Sequence, residues 1–282
     1  MKVLVTGVGG QLGYDVVEQL QARLIECKGF DLADFDITNA HATEAYIKDY
    51  KPDVVIHCSA YTAVDKAEDE PEKCWSVNVD GTENIAKVCR EIDAKMIYIS
   101  TDYVFPGTGE HFYEVNDATG PLSVYGKTKL AGEEAVKKWL QKYYIVRISW
   151  VFGQNGNNFV KTMLRLGRER EELSVVCDQI GSPTYTADLA PLLCDMAASD
   201  KYGIYHATNE GVCSWAEFAT EIFKLAGLKT RVKPITTAEY PTKAKRPFNS
   251  RLSKKCLDEA SLSRLPVWQY ALQRYLKEEL LR

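Results

Sequence analysis

The sequence predicts a doubly wound α/β fold, a Rossmann-like parallel sheet with helices on both faces, joined to a smaller C-terminal substrate-binding region. Three observations carry this expectation. Short apolar runs alternate with helical patterns through roughly the first 150 residues, the pattern of repeated strand–helix units. These runs are nearly continuous rather than alternating, as strands buried on both faces require. The first of them ends in a glycine-rich turn that opens a helix.

The elements follow in order. "KVLVTG" is a β-branched strand, and "QLGYDVVEQLQA" spaces Leu12, Val16, Val17 and Leu20 as one helical face. A strand in "RLIECKGFD" precedes a helix in "NAHATEAYIKDY". "PDVVIHCSA" is the third strand, "PEKCWSVNVDGTENIAKVCREI" a single long helix, and "AKMIYIST" the fourth strand. A helix beginning in "PLSVYGKTKLAGE" leads to a fifth strand, "YYIVRISWVFG". Right-handed crossovers between such units wind the chain to both sides of the sheet. The dinucleotide-binding domain is expected over 1–152. The substrate-binding region is expected over 153–282, with some segments returning to the main sheet. There, "GNNFVKTMLRLGRERE" and "TADLAPLLCDMAAS" look helical, the latter despite Pro191, and "LSVVCD" looks like a strand. "SWAEFATEIFKLAGL" is an amphipathic helix with Ser214 as N-cap and Glu217 completing a capping box. "AEYPTKAKRPFNSRL" is expected to be ordered loop, of the kind that lines pockets.

Bulk properties exclude several classes. A chain of 282 residues with 45% hydrophobic and 26% charged side chains is ordinary globular composition. The net charge of −4 offers no general attraction to nucleic acid or anionic membrane. The apolar run at the N-terminus is too short for a signal-peptide core or a membrane span. Eight cysteines without a C-x-x-C fit neither a disulfide framework nor a zinc site, and a reducing cytoplasm suits them.

The turn "TGVGGQLG" carries glycines at 7, 10 and 13 between the first strand and its helix. Gly7 permits the tight turn, Gly10 lets the backbone approach a pyrophosphate, and Gly13 lets the helix pack closely. The helix N-terminus then offers N–H groups and partial positive charge to phosphate. Asp31 lies about 20 residues further on, where an acid meets the adenosine ribose. An aspartate there favours the free 2′-hydroxyl of NADH, and Lys28 is the sole nearby cation. NADPH stays open. Asp36 and Ile37 would flank the adenine, or Asp34 and Asp36 would simply end a loop.

Thr101 stands at the carboxyl end of the fourth strand, the edge where such sheets bind ligands. Tyr125 follows, with Lys129 four positions beyond it on the same helix face, whereas Lys127 points elsewhere. This suits a redox step at a carbonyl, whose oxygen needs a proton and nearby donors as hydride arrives at carbon. A lysine close to the tyrosine would lower its pKa from about 10. Thr101 would hydrogen-bond the same substrate oxygen. His57, ending an apolar run, is expected to be structural.

The glycine turn, Thr101 and the Tyr125–Lys129 pair, read together, resemble the extended short-chain dehydrogenase/reductases. Within them the chain resembles the dTDP-4-dehydrorhamnose reductase family across nearly its whole length, in "GQLG", "AYTAVDKAEDEPE", "STDYVFPGTG", "PLSVYGKTKLAGE", "RISWVFG", "DQIGSPTYTADLA" and "RPFNSRL". The resemblance implies NADH- or NADPH-dependent reduction of the C4 keto group of a dTDP-linked deoxy-sugar, with Tyr125 as proton donor, Lys129 as its partner and Thr101 as helper. It also implies that Gly10, Gln11 and Leu12 meet the pyrophosphate. Asp31, Asp36 and Ile37 would lie near the adenosine, and Ala60, Tyr61 and Thr62 along the cofactor. Thr101, Asp102, Tyr125 and Trp150 would face the nucleotide-sugar, and Arg246 and Asn249 its diphosphate. Trp150 reads equally as core packing. Some members of the family dimerise around Mg²⁺ held by acidic side chains. Asp15, Glu278 and Glu279 are acidic but show no ligand spacing, so no metal is expected, and monomer and homodimer both fit. Two other readings share the scaffold. One is a sugar-nucleotide epimerase or dehydratase that reoxidises its cofactor in each cycle. The other is a non-catalytic regulatory subunit like the methionine adenosyltransferase β subunit.

Overall fold

The computed structural model describes residues 1–280. Strands β1 (Lys2–Thr6), β2 (Glu26–Phe30), β3 (Val54–His57), β4 (Lys95–Thr101) and β5 (Tyr143–Ile148) form one parallel sheet with the Gly203–His206 strand. The spatial order is Gly203–His206, β5, β4, β3, β1, β2. Strand order reverses between β1 and β3, which opens a crevice at the carboxyl ends of the strands.

Both faces of the sheet are covered. Helix α1 (Gln11–Ala22) packs with the Thr186–Ala197 helix over Val3, Val5, Ile56 and Val146 on one face. Helix α2 (Ala40–Tyr50) and the Gly81–Glu91 and Val124–Trp139 helices cover Leu4, Val55, Met96 and Ile145 on the other. The alternation of core residues along β1 follows directly from the strand period of two. A separate core joins the Phe159–Glu169, Trp215–Leu225 and Trp268–Leu280 helices, around Phe152, Phe218 and Tyr275. The capping box on the Trp215–Leu225 helix forms as expected, with Ser214 and Glu217 bonded reciprocally. The Gly203–His206 strand, absent from the sequence reading, joins the edge of the main sheet beside β5.

Two expected elements are broken, each at a position that matters for the cleft. The run read as one fifth strand ends at Ile148, because Trp150 adopts φ of 48°; Val151–Phe152 then pairs separately with Thr184–Tyr185. The long helix from Pro71 to Glu91 contains a π-helical turn at Ser76–Asp80. Such single turns are frequent at functional sites.

One buried ion pair ties the sheet to the Val124–Trp139 helix. Glu133, fully buried, accepts from Arg147 Nε at 2.8 Å and Nη2 at 2.7 Å, and from Ser100 Oγ at 2.6 Å. Arg147 Nη1 donates to the Val115 carbonyl at 3.1 Å. Replacing Glu133 with Ala strands a buried guanidinium, and the expected loss is about 3–5 kcal/mol of stability. Urea denaturation reads it; a loss under about 1 kcal/mol would mean that the pair contributes nothing beyond a surface bridge.

Candidate active site

A cleft of about 740 Å³ opens at the carboxyl ends of β1–β4. Its floor at one end is the glycine turn. Gly7 has φ of 70°, and a Cβ there would stand 2.8 Å from the Ser59 amide nitrogen. A Cβ on Gly13 would collide with the Gly7 carbonyl, so the helix can lie this close only without one. Gly10 is the N-cap of α1, and no side chain caps that end, although Asn39, Ser123, Asn158 and Ser214 cap other helices. The unclaimed N–H groups of α1 and their partial positive charge therefore face the cleft, a fit to a pyrophosphate.

Asp31 directly follows β2 beside this turn. Its carboxylate accepts the Gly9 N–H at 2.7 Å and the Leu32 N–H at 2.8 Å. Asp36 caps its own loop, accepting the Thr38 N–H at 2.9 Å, while Asp34 accepts the Asp31 N–H at 2.8 Å. Ile37 is buried and still borders the cleft. Lys28 lies over the Tyr46 ring, 4.4 Å from its centroid, and does not border the cleft.

Ala60, Tyr61 and Thr62 line the cleft after β3. Tyr61 turns its hydroxyl to Glu70, at 2.9 Å. Its backbone is clamped by Asn78, which accepts the Tyr61 N–H at 2.8 Å and donates to the Tyr61 carbonyl at 3.2 Å. Asn78 also donates to Thr128 Oγ1 at 3.0 Å, joining the loop to the Val124–Trp139 helix. Asn78 was not singled out in the sequence. It stands in the π-helical turn, and an asparagine inside a helical pattern was the only signal for it.

Thr101, Asp102, Tyr125, Lys129 and Trp150 meet in the same cleft. Ser123 caps the helix, accepting the Gly126 N–H at 3.1 Å, which fixes Tyr125 in the first turn. A Cβ on Gly126 would collide with the Tyr103 carbonyl, so this end sits hard against the turn after β4. Lys129 is buried, with Nζ 4.0 Å from the Tyr98 ring centroid, and Lys127 is exposed. The two lysines thus divide as helix geometry requires.

The electrostatics differ from expectation at Tyr125. Burial pushes its phenol well above the usual range, and the neighbouring Thr101 hydroxyl opposes this only in part. Burial also pulls Lys129 down to about 7, against the charge of Glu133 and the Cys58 and Cys74 thiols. Desolvation therefore dominates at both groups, and the tyrosine is held as a proton-bearing acid rather than a ready phenolate. Asp102 is 3% exposed, and burial pushes it up to about 6 against hydrogen bonds from Ser250 and Thr101. His57 is buried between Thr6 and Thr82 hydroxyls, at 2.8 and 3.1 Å, and burial takes it down to about 3.

Trp150 borders the cleft and stacks on Trp215 at 3.7 Å, so packing and lining are both its work. Arg246 and Asn249 do not line the cleft. Asn249, expected at the diphosphate, is 1% exposed and spends its amide on the Thr108 and His111 carbonyls, at 3.3 and 2.8 Å. Its oxygen accepts from Arg251 at 2.9 Å. Arg246 forms a bidentate pair with Asp65, at 3.1 and 2.6 Å. Tyr103, Lys73 and Ser149 line the cleft without having been singled out. Among the described residues no group of three or more His, Cys, Asp or Glu side chains is arranged to hold a metal, and no helix is long and apolar enough to cross a membrane.

Comparison with known proteins gives the chain a family. The RmlD substrate binding domain family model matches residues 1–281. The spore coat polysaccharide biosynthesis protein SpsK of Bacillus subtilis is 42% identical over 277 residues, covering 98% of this chain and 97% of the relative. The dTDP-4-dehydrorhamnose reductase of Escherichia coli is 40% identical over 297 residues, covering 99% of this chain and 98% of that one. The structure of dTDP-4-dehydrorhamnose reductase from Bacillus anthracis in complex with NADP superimposes with a TM-score of 0.96 at 43% identity, covering 98% of this chain and 99% of the other. The chain belongs to the RmlD substrate binding domain family, alongside dTDP-4-dehydrorhamnose reductases.

Proposed function

We propose that the protein reduces the C4 keto group of dTDP-4-dehydro-L-rhamnose to dTDP-L-rhamnose, using NADH or NADPH. The observation that carries this reading is the meeting of Thr101, Tyr125 and Lys129 in one cleft with the glycine turn. When bound, the reduced nicotinamide supplies a hydride. The remaining work falls to residues of this chain. The uncapped end of α1 binds pyrophosphate, and Asn78 holds the Tyr61 backbone along the cofactor. Tyr125 delivers the proton to the C4 oxygen; its burial keeps that proton in place throughout the neutral range. Lys129 orients the nicotinamide ribose and stabilises negative charge left on Tyr125.

The division of labour follows the chain. Residues 1–152 supply the dinucleotide side, and residues 153–282 mostly cover the substrate. Eight free cysteines suit a reducing cytoplasm. No role for nucleic acid or a membrane follows from the cleft, and the quaternary state is monomer or homodimer. The relative in complex with NADP supports use of NADPH. Asp31 beside the Gly9 amide supports a bias toward NADH, because a 2′-phosphate would meet its charge.

Tyr125→Phe should lower kcat by about 10²–10⁴-fold while the fluorescence titration of bound NADH stays near wild type; wild-type turnover in that variant would sink the mechanism. Asp31→Ser should raise the NADPH-to-NADH ratio of kcat/KM by about tenfold. An unchanged ratio would remove Asp31 from coenzyme choice.

A further inference from the structure

Thr101 has a single hydroxyl proton, and although that hydroxyl stands beside Tyr125, its bonded acceptor in the structure is Asp102. Thr101 Oγ1 donates to Asp102 Oδ1 at 3.0 Å and accepts the Tyr103 N–H at 3.3 Å. As long as Asp102 is ionised, that proton is not available to a substrate oxygen. The other carboxylate oxygen, Oδ2, accepts from the hydroxyl of Ser250, in the "RPFNSRL" stretch 148 positions away. Ser250 is 1% exposed, pairs in register with Gly181, and packs in the same corner as Trp150. The two residues joined to Asp102 thus come from distant segments, the end of β4 and the Asn249–Ser250 strand.

We propose that Ser250 and Asp102 form a proton-controlled positioning pair that decides whether Thr101 donates to the substrate oxygen. This rests on the reductase reading above. Ionised Asp102 draws the Thr101 hydroxyl toward itself. Protonated Asp102 releases it to point at the C4 oxygen beside Tyr125. Ser250 biases the choice toward the ionised form, because a hydroxyl that donates to a carboxylate stabilises its charge. Burial works in the opposite sense and brings the carboxyl up to about 6, within reach of working pH. The ionisable groups facing Asp102 are Tyr103 on its own turn and Tyr125 on the Val124–Trp139 helix. Both titrate far above it, and the Gly181 and Trp150 side of the corner adds none.

The test is the pH profile of kcat/KM for the coupled oxidation of NADH with dTDP-4-dehydrorhamnose. Wild type should lose activity as pH rises through the Asp102 ionisation. Ser250→Ala removes the donor, so this limb should move up by about one pH unit, and the variant should outperform wild type between the two midpoints. Asp102→Asn cannot ionise, so the limb should vanish from its profile. A limb from Lys129, near 7, should stay in both variants. An Asp102 limb unmoved in Ser250→Ala, a limb moved downward, or one retained in Asp102→Asn would each overturn the proposal. Absence of NADH oxidation by wild type would instead strike the reductase reading, so the two failures are distinguishable.

Discussion

The buried pair between Glu133 and Arg147 is the interaction on which the site depends. Glu133 projects from the helix that carries Tyr125 and Lys129, one helical turn beyond Lys129, and it reaches Ser100 on β4 and Arg147 on β5. Ser100 directly precedes Thr101, so a single carboxylate fixes the helix that carries Tyr125 against the strand that ends in Thr101. A charge so deep contributes through its partners rather than by itself; unpaired, it would cost several kcal/mol. The same carboxylate raises the proton affinity of Lys129, which burial lowers. Position and charge in the cleft therefore share one source.

The cleft itself combines two different solutions to binding an anionic cofactor and a neutral carbonyl. At the β1 end it uses backbone: a tight turn, a glycine against a carbonyl, and an uncapped helix. At the β4 end it uses buried side chains whose ionisations burial has displaced toward the neutral form. Neutral groups can pass protons to a developing alkoxide, whereas fixed charges there would have to be desolvated at each turnover. The second core, around Phe152 and Tyr275, brings Trp150 and Trp215 to the open side.

Much of this was legible in the residues, for identifiable reasons. The strand–helix alternation and the glycine turn are local patterns, and period and turn chemistry suffice to read them. That Lys129 rather than Lys127 lines the cleft with Tyr125 is also local, set by the helix repeat. What escaped depends on contacts between distant segments. The bonds by which the Asn249 amide closes the 108–111 loop are one such contact. Ser250 carried no signal, since its meaning lies in a bond to Asp102. The π-helical turn at Asn78 and the left-handed Trp150 broke elements that apolar periodicity read as continuous. The pKa of Tyr125 went the other way because burial cannot be read from a motif.

Everything in the cleft serves a net transfer of hydride from coenzyme to C4 of the sugar. NADH carrying deuterium on the transferring face of its nicotinamide C4, incubated with dTDP-4-dehydrorhamnose, tests it most directly by NMR of the product. One deuterium at C4 of dTDP-L-rhamnose is expected for each NADH consumed. A product formed without net NADH consumption, or one without deuterium at C4, would contradict it.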